Sequence, residues 1–189
     1  IRTIEPKEMW EKYGVEALIT NSYVIWKHEK LRLEAIKSGI HSLLDFPGVI
    51  VTDSGTFQSY VYGDVEVGSE EIVSFQSNMG VDIGTMLDVF GRPDMTREQL
   101  ERGAKETLDR SKISLSSAGS NMLLNGPIQG GTHPDLRAKS ALEMGQEEIE
   151  GREAPAAEAD DGTPFGKNIS SGMPPSAKYA TSPSYTGRM

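Results

Sequence analysis

The sequence predicts an α/β protein assembled from repeated βα units around a parallel sheet. Three observations carry this. Four short apolar runs rich in β-branched residues punctuate the chain, and helical stretches lie between them. The polar residue that follows each run (Asn21, Asp53, Asp88 and Gln129) recurs at spacings of 32, 35 and 41 residues, read from their numbers. That period suits a strand, a helix and their turns.

In order, Glu5 to Lys12 reads as a helix entering the first run, Ala17-Leu18-Ile19-Thr20. Lys27 to Ser38 is charged and amphipathic and ends at Gly39, a C-terminal cap. The second run is Val49-Ile50-Val51-Thr52. Ser69-Glu70-Glu71 opens a helix to about Met79, with Ser69 as its cap, the acids at the positive end of the dipole and a stop at Gly80. The third run spans Val81 to Leu87. Thr96-Arg97-Glu98-Gln99 has the form of a capping box before a helix reaching about Ser111. The fourth run goes from Met122 to Ile128, and Pro134 to Met144 reads as a last helix with Gly145 after it. Short continuous apolar runs suit strands of a parallel sheet buried on both faces. One domain is expected over 1–145. From Glu147 onward lie five of the ten prolines amid Ala, Ser, Gly and acids, so 146–189 reads as a low-complexity, disordered or foreign tail.

The bulk numbers set limits. A chain of 189 residues holds a real core, yet is short of the roughly 250 residues of a complete α/β barrel. It has no cysteine, which excludes disulfides and thiolate metal sites and fits a reducing, cytoplasmic setting. Its net charge of −9 makes it a poor polyanion binder as a whole, so a nucleic-acid substrate needs a local cationic surface. Ordinary acidic solubility is the simpler reading of the charge. No apolar run approaches the roughly 20 residues of a membrane helix, and no signal-peptide pattern opens the chain. The first residue is Ile1 rather than Met, a hint that the natural start lies upstream.

Three segments carry chemistry. Thr52-Asp53-Ser54-Gly55-Thr56-Phe57-Gln58 delivers a carboxylate, a hydroxyl and a glycine from a strand into a loop. The glycine admits a flat ligand close to the backbone, Phe57 offers a stacking ring, and Gln58 a donor and an acceptor. A plain Asx turn is the other reading. Gly84-Thr85-Met86-Leu87-Asp88 places a carboxylate directly after an apolar strand, where it needs a partner. A guanine-like edge with two donors fits its two oxygens; a helix cap or a salt bridge would also satisfy it. Asn125-Gly126-Pro127-Ile128-Gln129-Gly130-Gly131 ends a strand in paired glycines, with Gln129 set for a base carbonyl, or forms only a tight turn. His28, His41 and His133 read as structural or surface residues, and Trp26, Tyr60 and Tyr62 as packing residues. No P-loop, dinucleotide fingerprint or Gly-x-Ser-x-Gly elbow is present.

Together these segments resemble the archaeal tRNA-guanine transglycosylases. The matching stretches, in family order over roughly residues 1 to 145, are Ile19-Thr20-Asn21-Ser22-Tyr23, Gly39 to Phe46, Val51 to Gln58, Tyr62-Gly63-Asp64-Val65-Glu66-Val67, Gly80 to Gly84 with Asp88, and Pro127 to Gly131. The resemblance implies a TIM (β/α)8-type barrel, about half of it represented here. It implies a pentosyltransferase that replaces a D-loop guanine of tRNA with 7-cyano-7-deazaguanine, the archaeosine precursor, through a covalent ribosyl-aspartate. Asp53 matches the catalytic aspartate, described as nucleophile and as general acid/base. Asp88 matches the base-reading aspartate. Ser54, Gln58, Gln129 and Gly130 match base-contacting positions, and Phe57 the stacking aromatic.

The departures are equally specific. The family's first strand, its later βα units, a second essential aspartate and a zinc site of cysteines and histidine have no counterpart recognised here. Zinc is therefore a family cofactor whose ligands this chain does not carry. The implied partners are tRNA, guanine or 7-cyano-7-deazaguanine, and a second copy or a partner subunit over the open barrel edges, with no membrane. A non-catalytic base-binding or scaffolding subunit is the alternative. An unrelated barrel hydrolase with Asp53 and Asp88 as an acid/base pair is a third reading.

Overall fold

A computed structural model describes residues 3–58 and 67–153. Four strands form one parallel sheet in the order β1-β2-β3-β4: β1 (Ala17–Asn21), β2 (Val49–Asp53), β3 (Ile83–Thr85) and β4 (Leu123–Asn125). β1 and β2 run in register from Ala17↔Val49 to Asn21↔Asp53. β2 meets β3 at Val51↔Ile83, and β3 meets β4 from Ile83↔Leu123 to Thr85↔Asn125. Among the described residues, helices that connect or flank the strands include α1 (Pro6–Tyr13), α2 (Ser22–Lys27), α3 (Glu29–Ser38), α4 (Ile40–Leu44), α5 (Ser69–Asn78), α6 (Arg97–Ser117) and α7 (Pro134–Glu153). This is the expected parallel α/β arrangement. Among the described residues no helix is long and apolar enough to cross a membrane.

The core lies between the helices and one face of the sheet. Ile50 on β2, Ile40 on α4, Ile72 and Val73 on α5, and Phe46, Met79 and Met86 in the connections are at most 1% exposed. Each such side chain contributes about 1.5–3 kcal/mol by leaving water. Alternation then puts Ile19 and Leu123 on the opposite face, where they are 69% and 53% exposed.

Several boundaries differ from the sequence expectation. The stretch from Lys27 to Ser38 is not one helix. His28, with φ −89° and ψ 100°, closes α2 and opens α3. The cap of α5 is Gly68, so Ser69 is the first helical residue and makes no capping bond. The capping box at Thr96 is present, with the Thr96 N–H donating to Gln99 Oε1 at 2.8 Å. That helix runs on past Ser111 to Ser117, because Ser111 and Ser114 are small enough to be buried on its inner face. The last helix passes through Gly145 to Glu153; a helix-interior glycine weakens a helix by about 1 kcal/mol relative to alanine but does not end it. β3 and β4 are shorter than their apolar runs, and Pro127 has no N–H to extend the β4 ladder. Tyr60, Tyr62 and the stretch through Glu66 lie outside the described residues; of the tail expected over 146–189, residues 146–153 are the end of α7 and those from 154 onward lie outside the described residues.

Candidate active site at the carboxyl ends of the strands

β1 ends at Asn21, which also caps α2. Its Oδ1 accepts from the Val24 N–H at 2.9 Å. That cap fixes which way the amide points. The Nδ2 end then donates to Asp53 Oδ2 at 2.9 Å and to Gln58 Oε1 at 3.0 Å. A helix cap thus orients the carboxylate at the end of β2.

The loop after β2 is held tightly. Ser22 Oγ is buried and donates to the Asp53 carbonyl at 2.7 Å. Gly55 has φ +92°, and a Cβ there would stand 2.3 Å from Tyr23 Cβ, so both backbone angle and space require glycine. Its N–H lies 3.4 Å from Asp53 Oδ1, a long Asx-turn contact. Ser54 is 1% exposed and its hydroxyl donates to the Met86 carbonyl at 2.9 Å. Phe57 is half exposed and meets Phe90 edge to face at 6.1 Å.

β3 and β4 form a second pair. Gln129 Nε2 donates to Asp88 Oδ2 at 2.5 Å. The Asp88 carbonyl accepts from Arg110 Nη1 at 3.0 Å, and its N–H donates to Thr56 Oγ1 at 3.3 Å. The Gln129 N–H donates to Ser140 Oγ on α7 at 3.0 Å. Gly130, at φ +124°, brings its backbone against α7; a Cβ would lie 2.7 Å from the Arg137 nitrogen.

The structure therefore brings Asp53, Gln58, Asp88 and Gln129 to one edge of the sheet, with Asn21 donating to both Asp53 and Gln58 and Gln129 donating to Asp88. Ser54 and Gly130 sit beneath and beside them, with Phe57 at the rim. A groove of about 530 Å³ lies elsewhere, between α6 and α7, lined by Glu98, Arg102, Lys105, Asp109, Lys139 and Glu143 among others. Ser140 also lines it and links it to the strand ends through its bond to the Gln129 N–H.

Two contributors escaped the sequence reading. Asn21 was placed at the edge but not in the site. Gln76, fully buried on α5, was not singled out at all. Its signal was a carboxamide on the inward stripe of a helix, four residues after Ile72. His41 stands apart: its Nε2 lies 3.2 Å from Asp82 Oδ2 at the amino end of β3, where that oxygen also accepts from the Ile50 N–H at 2.7 Å. Trp26 donates to Glu71 Oε1 at 3.1 Å and stacks on Tyr23 at 5.8 Å.

A family model described as queuine tRNA-ribosyltransferase matches residues 1–157. Among curated relatives, the tRNA-guanine(15) transglycosylase of Methanocaldococcus jannaschii is 52% identical over 132 residues, which is 68% of this chain and 20% of that protein. The protein of the same name from Methanosphaera stadtmanae is 46% identical over 134 residues, 71% of this chain and 20% of the relative. That from Pyrococcus furiosus is 46% identical over 147 residues, 78% of this chain and 25% of the relative. The chain thus spans 20–25% of the length of these relatives.

Proposed function

The chain belongs to the queuine tRNA-ribosyltransferase family, and from that premise we propose that it carries the base-exchange site of a tRNA-guanine transglycosylase. The protein exchanges a D-loop guanine of archaeal tRNA for 7-cyano-7-deazaguanine, on the way to archaeosine, in the cytoplasm. The observation that carries this reading is the pairing at one sheet edge of Asn21 with Asp53 and of Gln129 with Asp88.

Asp53 is the reacting group, as nucleophile or as general acid/base. In the covalent route a carboxylate oxygen attacks the ribose C1′ and the N-glycosidic bond breaks. Guanine leaves with the bonding electrons and takes up a proton. The incoming base loses a proton, and its nitrogen displaces the carboxylate. Asp88 presents two oxygens to the N1–H and 2-amino group of the base, a bidentate charge-assisted match. Gln129 and the Gly130 backbone serve the carbonyl edge, Gln58 and Ser54 the remaining polar atoms, and Phe57 stacks on the ring. The nucleotide leaves its stack to reach these groups.

We read the four strands as half of a TIM barrel. The exposed face with Ile19 and Leu123 then packs against the rest of the barrel, a second copy or a partner subunit. The family's zinc does not fit the residues present. The chain has no cysteine, and among the described residues no three of His, Asp and Glu gather as a metal site. No step is assigned to it.

Calorimetric titration with 7-cyano-7-deazaguanine and exchange of labelled guanine into archaeal tRNA test the reading together. Base binding with exchange that Asp53→Asn abolishes is expected. Base binding without exchange identifies instead a base-binding or scaffolding subunit. Absence of base binding overturns the reading and favours the hydrolase.

A further inference from the structure

The sheet is unevenly laddered. Among the described residues β1 and β2 share five register pairs and β3 and β4 three, whereas β2 and β3 share only Val51↔Ile83. In a parallel pair the N–H and C=O of alternate residues turn to the same neighbour. Thr85, two residues beyond Ile83, therefore turns its backbone groups toward β2. No β2 peptide meets them. The Gln76 side chain does: the Thr85 N–H donates to Gln76 Oε1 at 3.0 Å, and Gln76 Nε2 donates to the Thr85 carbonyl at 3.1 Å. One carboxamide thus answers Thr85 as a strand peptide would.

The same amide holds β2. Thr52 Oγ1 donates to Gln76 Oε1 at 2.6 Å, and the other Nε2 hydrogen goes to the Ile72 carbonyl at 3.1 Å. Two donor hydrogens and two acceptor sites are all used. Gln76 and Thr52 are both fully buried. Past it, side-chain bonds continue the seam: Ser54 Oγ to the Met86 carbonyl at 2.9 Å, and the Asp88 N–H to Thr56 Oγ1 at 3.3 Å. Asp53 stands on one lip of this seam and Asp88 on the other.

We infer that Gln76 is the spacer that sets the width of the cleft between Asp53 and Asp88, a positioning residue for base binding. The inference rests on the base-exchange reading. Inserted from the helix layer, the amide replaces direct β2–β3 pairing at the point where the strands deliver their carboxylates. A rigid, fully bonded spacer keeps the two loops apart when no base is present, so the cleft is preformed.

The test uses Gln76→Met, similar in size but without the amide, and Thr52→Val, which removes one donor and keeps the shape. Guanine affinity is read by calorimetry, and backbone amide exchange by NMR. For Gln76→Met, guanine affinity falls by about tenfold or more, the scale of a lost buried hydrogen bond. Exchange accelerates at Thr85 and Asp88 but not at Ile50. Affinity within about twofold of the parent, or acceleration spread evenly over the sheet, overturns the inference by reducing Gln76 to a core hydrogen bonder. If Gln76→Met does not fold, Thr52→Val decides: about a three- to tenfold loss of affinity supports the spacer, and no loss overturns it. If the parent binds no guanine, the functional reading fails by itself. The spacer is then judged on exchange alone: selective acceleration at Thr85 and Asp88 supports it, and none overturns it.

Discussion

The Gln129 side-chain amide donates to Asp88 Oδ2 at 2.5 Å, so the end of β4 already engages the carboxylate that follows β3. A base arriving at Asp88 must share or displace that amide. Asp88→Asn removes the charge that the proposed base edge would meet and puts a second amide opposite Gln129. Affinity for 7-cyano-7-deazaguanine is expected to fall by about ten- to a hundredfold, the range for a charge-assisted hydrogen bond. Titration calorimetry checks it, and unchanged affinity would remove Asp88 from the base site.

Asn21 joins a helix cap to the Asp53 carboxylate, and two substitutions separate these roles. Asn21→Ala loses the cap of α2, which costs about 1 kcal/mol, and also frees Asp53. Asn21→Asp keeps the cap but sets a like charge beside Asp53, disfavouring its ionised form. The prediction is that the Asp variant keeps its thermal midpoint better than the Ala variant and still loses guanine exchange. Full exchange activity in Asn21→Asp would show that the contact is incidental.

Gly55 and Gly145 make opposite predictions for the same change. Gly55→Ala forces a positive φ on alanine and drives its Cβ to 2.3 Å from Tyr23 Cβ, destabilising the fold by about 2–4 kcal/mol. At Gly145 a Cβ meets nothing within 4 Å inside α7. Gly145→Ala should stabilise by about 0.5–1 kcal/mol. Urea unfolding of the two variants reads both signs.

Arg97 at the start of α6 bonds Asp135 at the start of α7, with Nη1 to Oδ1 at 3.3 Å. This bond holds the Asp135 carboxyl below its usual value of 3.8. A depressed folded value means the contact stabilises above the unfolded pKa and is lost as pH falls through the folded one. Loosening of α6 against α7 is therefore expected only below about pH 4. An NMR titration of the Asp135 carboxyl carbon should give a midpoint below 3.8; a midpoint at or above it would contradict the bond. Both groups are well exposed, so the effect on stability is small.

Much of the fold was legible because the signals were local. Apolar runs marked all four strands, and Thr96 with Gln99 marked the start of α6. Helix ends were less legible. Gly145 and Ser111 read as stops, yet neighbouring packing carries both helices past them. The break at His28 has no breaker residue; α2 packs instead on α5 and β2, contacts that spacing along the chain does not announce. At the site, the polar residues after each run were readable as an edge. What each side chain does there was not, because Ser54 turns inward to Met86 and Gln76 reaches in from another element. Such contacts depend on tertiary placement, which spacing along the chain does not encode.

Every strand in the sheet lies beside its neighbour in sequence. Asn21 and Asp53 are 32 residues apart, as are Ser54 and Met86, and Asp88 and Gln129 are 41 apart. Among these four strands none is paired with a segment distant in sequence. The loop-closure entropy of each pairing is therefore similar and modest. The sheet can be laid down one strand at a time as the polypeptide leaves the ribosome, from β1 toward β4, and the two bonded pairs at its edge are completed in the order of synthesis.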